Sequence, residues 1–474
     1  MTYLAVFLYF SLISIIVFKD SWKKTTTSSD YATGNRNINF YVTAISAHAS
    51  DMSSWLFMAF PMMLYTTGIT GLWVGIGLIG GMTLNWLLIA RFLRQKTQEL
   101  ECSSLSLLLQ KCYNDKSNVL KFATSLTCLF FLLAYLSSGI MGSGYLLESL
   151  FHLPYEWGCI LSTFIILLYT LVGGYTSIAY TDFFQGMFLL LALILVAAVS
   201  VFQLSPADNI ILLMKEKNLS LTLLDFSSSE KTTNSLQAMF AGLAWGVGYL
   251  GQPHILNRFI GIDDEKNLKK AAFVGLAWEI LAFAGAGVVG ICAISYFQGR
   301  VVENNELLFI TMVQEMFTPF ISSFILCSIL SASISTMDSQ LLVLSTSMME
   351  DFYLPYKKSI NEKEKITFLR VSSLLLAIIP LFIALFKVGS ISSVVQYAWS
   401  GLGGTFGPLL LAILIFKKLP SKAGILILFS GAFICLFYPC WESLIPQLSY
   451  IPSILLSLFV GLLIAFFLKD SYKK

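Results

Sequence analysis

Long apolar runs separated by short polar segments dominate the chain from one end to the other. A helix that crosses about 30 Å of hydrocarbon needs about 20 predominantly apolar residues. Runs of this kind predict an all-α polytopic membrane protein with thirteen spans. The spans are expected near residues 2–18, 39–68, 69–92, 120–150, 157–177, 183–204, 236–257, 271–296, 319–348, 367–386, 390–416, 422–440 and 450–468.

Composition supports a membrane protein rather than a soluble one. Of the 474 residues, 56 % are hydrophobic and only 12 % are charged, which is too few charges to cover a soluble surface. The formal net charge of +3 gives no reason to expect nucleic-acid binding. We expect a single transmembrane domain over 1–474, and no obligatory protein partner is evident. It would consist of an N-terminal span and loop (1–38), two repeats (39–204 and 236–416) and two C-terminal spans with a tail (422–474).

The distribution of lysine and arginine predicts the orientation. With the N-terminus outside, the alternate loops that face the cytoplasm hold 25 of the 30 lysines and arginines. Such an excess is typical of cytoplasmic loops. The C-terminus is then inside, which requires an odd number of spans.

Two of the predicted spans are interrupted by polar or helix-breaking residues. The second contains Ala49–Ser54, and the seventh contains Trp245–Pro253 with three glycines and a proline. Freed backbone groups at such breaks are tolerated in a membrane only around a cavity. The two spans lie five apart in order, which predicts two five-span repeats whose first members meet near the midplane. Interrupted segments in corresponding positions are typical of secondary-transporter sites.

The ninth predicted span has a hydroxyl-rich centre, Ser331–Ser339. Sodium is a hard cation that needs oxygen ligands. The hydroxyls of Ser335 and Thr336, with carbonyls of Ala49, Met52 and Ala332, could supply them. The alternative is that small hydroxyl residues simply let helices pack closely.

Three carboxylates inside spans have competing interpretations. Asp51 either caps a half-helix or attracts sodium, and the two roles are compatible. Asp182 is expected to be an N-cap at the inner start of the sixth span. Glu279 is expected to reach the inner surface or to pair with Arg258, with a proton-carrying role as the alternative.

Aromatic residues suggest the wall of a substrate pocket. Tyr135 lies within the fourth span, and Trp245 and Tyr249 flank the second break, four residues apart on one helical face. Flat aromatic walls suit a small ring or aliphatic group, although each of these residues could equally be ordinary packing.

Four stretches of the chain resemble the sodium/solute symporter family, and within it the sodium/proline branch. They are Ala49–Trp55, Tyr180–Gly186, Gly248–Leu256 and Ser335–Leu342, and they occur in the family's order along essentially the whole chain. The resemblance implies a five-plus-five inverted-repeat core with two broken helices, one added N-terminal span and two added C-terminal spans.

The resemblance also implies roles for individual residues. It implies a sodium site of Ala49, Met52, Ala332, Ser335 and Thr336, with Asp51 needed for sodium-dependent transport, and sodium release past Asp182. It implies a substrate pocket, in which we include two further residues of the matching stretches, Trp55 and Gln252. The predicted substrate-binding set is Ser53, Trp55, Tyr135, Trp245, Tyr249, Gln252 and Pro253.

The sequence departs from the family pattern at three positions. His48 and Ser54 stand where glycine is expected, close enough to the first break to alter substrate preference. Glu279 stands where an apolar residue is expected, which leaves open a contribution from protons.

Taken together, these features predict a secondary transporter that carries proline inward with sodium as the co-transported ion. Sodium is the only metal expected, since none of the eight cysteines has metal-ligand spacing. An enzyme is not expected, because the three histidines fall on three different spans. A transporter-like sensor would need a soluble domain after the last span, where only Lys469–Lys474 follow. The alternative is a symporter of the same fold for pantothenate, another small amino acid or an organic acid, assisted by protons. We expect a multi-pass protein of the plasma membrane, which in a bacterium is the cytoplasmic membrane.

Overall fold

The computed structural model of the chain describes residues 1–21, 27–203, 207–298, 300, 302, 304–357, 360–445 and 451–469. The predicted C-terminal tail after residue 469 lies outside the described residues, as do the predicted span ends at residues 204 and 450.

Helices account for most of the described chain. The α-helices are α1 (Thr2–Ser21), α2 (Ser28–Thr33), α3 (Phe40–Met52), α4 (Trp55–Thr67), α5 (Leu72–Leu84), α6 (Arg91–Glu99), α7 (Leu105–Cys112), α8 (Val119–Phe151), α9 (Tyr155–Val172), α10 (Tyr175–Gln203), α11 (Ala207–Glu216), α12 (Ser229–Gly248), α13 (Pro253–Ile260), α14 (Leu268–Tyr296), α15 (Leu308–Met316), α16 (Pro319–Ser347), α17 (Glu362–Leu385), α18 (Ile391–Phe416), α19 (Ser421–Leu444) and α20 (Ser453–Leu468). Short 3₁₀ turns cover Gly34–Arg36, Ile69–Gly71, Tyr249–Gly251, Glu265–Asn267 and Asn305–Leu307, and π-helical turns cover Asn85–Ala90 and Met348–Tyr353.

The all-helical class predicted from the sequence is confirmed over the described residues. Extended pairing in them is limited to two isolated bridges, Ile38 with Ile262 and Gly68 with Ser220. Eight helical stretches are long and apolar enough to cross a membrane, and three shorter apolar helices accompany them. The count of thirteen spans and the orientation stay predictions.

The bundle has a buried centre and a lipid-facing rim. In the stretch Pro319–Tyr353, which contains α16, 83 % of the most apolar segment is buried inside the protein. The corresponding value for α17 is 33 %, and its outward side chains are apolar. Because α16 also carries the hydroxyl-rich segment, its polar groups are shielded from lipid by the helices around it.

The boundary between the fifth and sixth predicted spans differs from the structure. Helix α10 begins at Tyr175, eight residues before the predicted start at 183. Asp182 therefore lies inside the helix, and the expectation that it is an N-cap is wrong. The first two turns of α10 contain polar residues, so their low hydropathy did not indicate a span. Several of these residues are buried; Thr181, for example, donates to the carbonyl of Ser177 at 2.8 Å.

The first predicted break is present between α3 and α4. Helix α3 begins at an Asn39 cap, whose Oδ1 accepts from Val42 N at 3.0 Å, and ends at Met52. Ser53 has φ +44°, a left-handed value that a non-glycine residue adopts only where its surroundings enforce it. Helix α4 then restarts at Trp55. The chain here is interrupted by only two residues.

The second break is narrower than its three glycines suggest. Helix α12 continues through Gly246 to Gly248, a 3₁₀ turn follows, and only Gln252 is extended before Pro253 opens α13. Proline suits a first helical position because no partner for its missing N–H is required there. The glycines serve close packing: a Cβ on Gly246 would lie 1.9 Å from the carbonyl oxygen of Gly77.

We predict that the start of α12 faces outward and the segment after α16 faces inward, which cysteine labelling of intact cells can test. In a Cys440→Ser background, which removes the exposed cysteine, Lys231→Cys should react with a membrane-impermeant maleimide. Lys357→Cys should react only after the membrane is permeabilised. Both side chains are about half exposed, so accessibility by side of the membrane decides the result. The reverse labelling pattern would show that the predicted orientation is wrong.

Candidate ion and substrate site

A cluster of hydroxyl and carbonyl oxygens joins the first break to the middle of α16. Ser335 Oγ lies 2.9 Å from the carbonyl oxygen of Ala49 and 3.0 Å from that of Ala332. Thr336 Oγ1 lies 3.0 Å from the same Ala332 oxygen and accepts from the backbone N–H of Ser53 at 3.1 Å. These residues are buried. The structure thus brings together four of the five predicted sodium ligands.

This arrangement can hold a small cation without large rearrangement. Hydroxyl oxygens carry two lone pairs, so rotating the two O–H groups away from the carbonyls leaves four neighbouring oxygens that are free to accept. Hard cations take oxygen ligands of this kind. Met52, the fifth predicted ligand, is the last residue of α3, where the helix can no longer use its carbonyl groups internally.

The Asp51 side chain contacts the turn of the second break. The hydroxyl of Tyr249 donates to its carboxylate, and the hydroxyl of Tyr135 donates to its backbone carbonyl at 3.3 Å. Neither bond caps α4, so the capping interpretation of Asp51 is wrong. Asp51 links the first break to the second instead.

Aromatic side chains enclose a central cavity of about 10 Å³ beside the first break. Trp55 and Trp245 face each other across it with ring centroids 5.2 Å apart. Tyr135 completes the predicted part of the lining, together with Asp51 and Met52. A cavity of this volume holds about one water molecule, so the aromatic walls are closed on each other here.

Larger cavities lie on the side predicted to be external. One of about 520 Å³ runs between α4, α12 and α18, and another of about 350 Å³ lies between α12, α18 and α19. Trp245 lines both of them and the central cavity. Toward the predicted cytoplasmic side, the cavity next to Pro253 measures about 30 Å³, and a separate cavity of about 380 Å³ is lined by Arg36, Glu101 and Glu350 and not by residues of the central cavity. The path from the external side therefore ends at the indole of Trp245.

Four of the predicted substrate-binding residues lie outside the lining of the central cavity. Ser53 forms the turn of the break, where its Oγ accepts from Trp55 N at 3.2 Å. The Tyr249 ring packs against the ring of Trp399 instead of lining the cavity. Gln252 bonds to backbone carbonyls, and Pro253 lines the small inner cavity.

Trp399 of α18 is a wall residue that the sequence analysis missed. Its indole N–H donates to the carbonyl of Trp245 at 2.8 Å, and the two rings stack with centroids 5.9 Å apart. A Cβ on Gly248 would lie 2.0 Å from its Nε1, so the glycine makes room for the indole. A lone tryptophan in a segment of small residues, Ala398–Gly404, was the available signal.

Asp182 and Arg258 form a buried ion pair. Arg258 Nη2 lies 2.9 Å from Asp182 Oδ2, which also accepts from Ser46 Oγ at 2.8 Å. Arg258 bonds Ser339 as well. The pair thereby joins α3, α10, α13 and α16 on the inner side of the hydroxyl cluster.

Glu279 is fully buried, so it does not reach the inner surface, and Arg258 pairs with Asp182 instead. The expectation that Glu279 reaches the surface or pairs with Arg258 is therefore wrong. Its Oε1 lies 3.2 Å from the Tyr249 hydroxyl, and its Oε2 lies 3.4 Å from His48 Nδ1. Two of the three departures from the family pattern therefore touch each other beside Asp51.

Comparison with known proteins identifies the family of the chain. The profile of the Sodium:solute symporter family matches residues 31–431. The chain belongs to this family. This symporter chain is 36 % identical to Sodium/proline symporter 2 of Staphylococcus saprophyticus, over 93 % of this chain and 86 % of the relative. It is 37 % identical to Sodium/proline symporter of Staphylococcus aureus over the same shares.

The fold is similar to that of a solved symporter. A Na⁺-coupled sialic acid symporter, in a substrate-bound outward-open state, superimposes with a TM-score of 0.81 at 16 % identity, covering 98 % of both chains. The fold of this symporter chain is therefore that of a multi-pass membrane transporter.

Replacing Ser335 and Thr336 together with alanine should weaken sodium binding at least tenfold, or about 1.4 kcal/mol. The double variant removes two of the proposed oxygens and leaves the carbonyls in place. The measurement is the sodium concentration that half-saturates transport in proteoliposomes.

Ser322→Ala with Ser323→Ala is the matched control for this test. These adjacent hydroxyls lie on the same helix and bond to the Pro319 carbonyl, far from the break. The control should keep the sodium dependence of the unmodified protein. Equal dependence in both double variants would place the ion elsewhere.

Proposed function

We propose that this protein is a symporter that couples inward sodium flow to the uptake of proline across the plasma membrane. The observation that carries the proposal is the meeting of two α16 hydroxyls with the first break: Ser335 Oγ bonds the carbonyl of Ala49, and Thr336 Oγ1 accepts from the N–H of Ser53. Family membership and the names of the two staphylococcal relatives support the coupling ion and the substrate. We include in the proposal thirteen spans, an external N-terminus and a five-plus-five repeat core.

The ion site would be formed by Ala49, Met52, Ala332, Ser335 and Thr336. Sodium would replace the N–H and O–H donors that now satisfy these oxygens. Since Ser53 N donates to Thr336 Oγ1, ion binding would act directly on the turn between α3 and α4. That contact gives a physical route from the ion to the helices that wall the substrate cavity.

The substrate would occupy the central cavity once Trp245 moves aside. Proline has a compact apolar ring, a secondary ammonium and a carboxylate, and no side-chain hydrogen-bonding group. Trp55, Tyr135, Trp245 and Trp399 offer flat apolar faces to such a ring. The start of α4 at Trp55 is the positive end of a helix dipole, which suits a carboxylate. Asp51, which also lines the cavity, suits the ammonium group.

Release to the cytoplasm would require the Asp182–Arg258 pair to separate. The pair lies on the inner side of the hydroxyl cluster and ties four helices together. Sodium leaving past Asp182 would compete with Arg258 for the same carboxylate. This competition would couple ion exit to the opening of the inner side.

A panel of competitors tests the substrate assignment. Excess unlabelled proline and ring analogues of similar size should block uptake of labelled proline, because the proposed site selects by shape. Glutamate, lysine and pantothenate should not compete. Failure of unlabelled proline to block uptake would remove proline as the substrate and favour the alternative of another small amino acid or an organic acid.

Substitutions at Trp245 test the wall itself. Trp245→Ala should raise the half-saturating proline concentration about tenfold, or about 1.4 kcal/mol, because a flat apolar face is lost. Trp245→Phe should have a smaller effect. Trp157→Ala, at an exposed tryptophan of α9, is the control and should leave uptake unchanged. Equal effects of the three substitutions would contradict the proposed wall.

A further inference from the structure

Carboxylates buried in this bundle differ in how their charge is balanced. Asp182 has Arg258 at 2.9 Å, and Asp351 has Lys121 at 3.7 Å. Asp51 and Glu279 are 6 % and 0 % exposed, yet no lysine or arginine of the described residues forms an ion pair with either. Burying a carboxylate is costly unless the charge is paired. Other buried carboxylates of the described residues, such as Asp338 and Glu306, also form no ion pair with a lysine or arginine, but hydroxyl or backbone N–H groups donate to them. At Asp51 and Glu279 two carboxylates lie together, and this accumulation of charge needs a physical explanation.

Asp51 and Glu279 meet at the hydroxyl of Tyr249. That hydroxyl bonds the Asp51 carboxylate and lies 3.2 Å from Glu279 Oε1. A phenol has a single proton to donate, so it satisfies one carboxylate at a time. Glu279 Oε2 is buried and receives no hydrogen bond. Oxygens from α3, α14 and the turn after α12 thus lie together, and the Tyr249 hydroxyl contacts both carboxyl groups.

Among the described residues, His48 is the remaining candidate for a compensating charge, and its contacts indicate that it is neutral. The indole N–H of Trp86 points at His48 Nε2 at 3.3 Å. Because an indole nitrogen can only donate, Nε2 must accept and carries no proton. The imidazole then holds its single proton on Nδ1, 3.4 Å from Glu279 Oε2. It can orient Glu279 but cannot balance its charge.

We propose that Asp51, Tyr249 and Glu279 form a second cation site, distinct from the hydroxyl cluster, and that its ligand is a second sodium ion. The proposal rests on the proposed sodium coupling and adds an ion to it. Carboxylate and hydroxyl oxygens are the ligands that a hard cation prefers. One positive charge between the two carboxylates would halve the net charge buried there.

This second site lies next to the substrate cavity. Asp51 lines that cavity, and the Tyr249 ring packs edge-on against Trp399 at 5.0 Å. A cation held by the Tyr249 oxygen would therefore fix the ring that supports the Trp399 wall. Ion binding at this position would preorganise the site for the substrate.

Counting bound sodium in the absence of substrate tests the proposal. The full-length purified protein is equilibrated with radioactive sodium, with choline as the replacement cation, and bound ions are counted per protein. The unmodified protein should bind two sodium ions, and Glu279→Gln should bind one. Asp351→Asn, at a buried carboxylate whose charge is matched by Lys121, is the control and should still bind two.

Two further variants keep the result interpretable. Ser335→Ala with Thr336→Ala should remove the other ion, so it should also bind one. Glu279→Asp keeps the charge with a shorter reach and should bind two, the second at least tenfold more weakly. If Glu279→Gln does not run as a monodisperse protein in size-exclusion chromatography, the weaker second sodium ion of Glu279→Asp serves as the test instead.

Specific results would overturn the second site. One sodium ion bound by the unmodified protein, or two bound by a well-folded Glu279→Gln variant, would do so. A proton taken up with the substrate and lost in Glu279→Gln would show that the occupant is a proton rather than sodium. Because the count needs no substrate, a failure of proline transport would leave it unaffected and would contradict only the proposed function.

Discussion

A helix can open inside a membrane only where other groups satisfy the backbone polar atoms it frees, and this constraint organises the centre of the protein. The chain between α3 and α4 opens at Ser53, and the side chain that accepts from its N–H is Thr336 of α16. Ser335 meets the carbonyl of Ala49 in the same way. The hydroxyls that stabilise the break are also the proposed ion ligands, so the ion site and the broken helix depend on each other.

Charge balance imposes a second constraint of the same kind. Arg258 lies in the bundle interior because Asp182, Ser46 and Ser339 give it and its partner hydrogen bonds. A pair of this type is stable while both members are present, and breaking it is costly. It can therefore hold the inner side closed until another cation replaces the arginine. The Asp51–Glu279 pair lacks such a partner, which distinguishes the two buried carboxylate sites.

Close backbone packing sets the shape of the substrate cavity. Gly77 and Gly246 bring α5 and α12 into backbone contact, and Gly248 admits the indole of Trp399 beside the second break. Side chains at these positions would push α5 and α18 away from α12. The aromatic walls then could not meet across the central cavity. The glycines thus act on the site through distance between helices rather than through flexibility.

The sequence by itself determined the helical class, both breaks and the hydroxyl pair on α16. The length of apolar runs, the prolines and the polar interruptions are local properties, so they can be recognised in the amino-acid sequence alone. The resemblance of four motifs to a known family implied the same sodium ligands that the hydroxyl-rich span suggested, and the structure brings four of them together.

Only the tertiary structure decided which polar groups meet. Asp182 was expected to cap a helix and instead pairs with Arg258, which is 76 positions away in the chain. Glu279 was expected near the inner surface and instead meets Tyr249 and His48. Trp399 was not selected at all. Contacts between distant segments depend on how whole helices cross, and no local pattern of residues records that crossing.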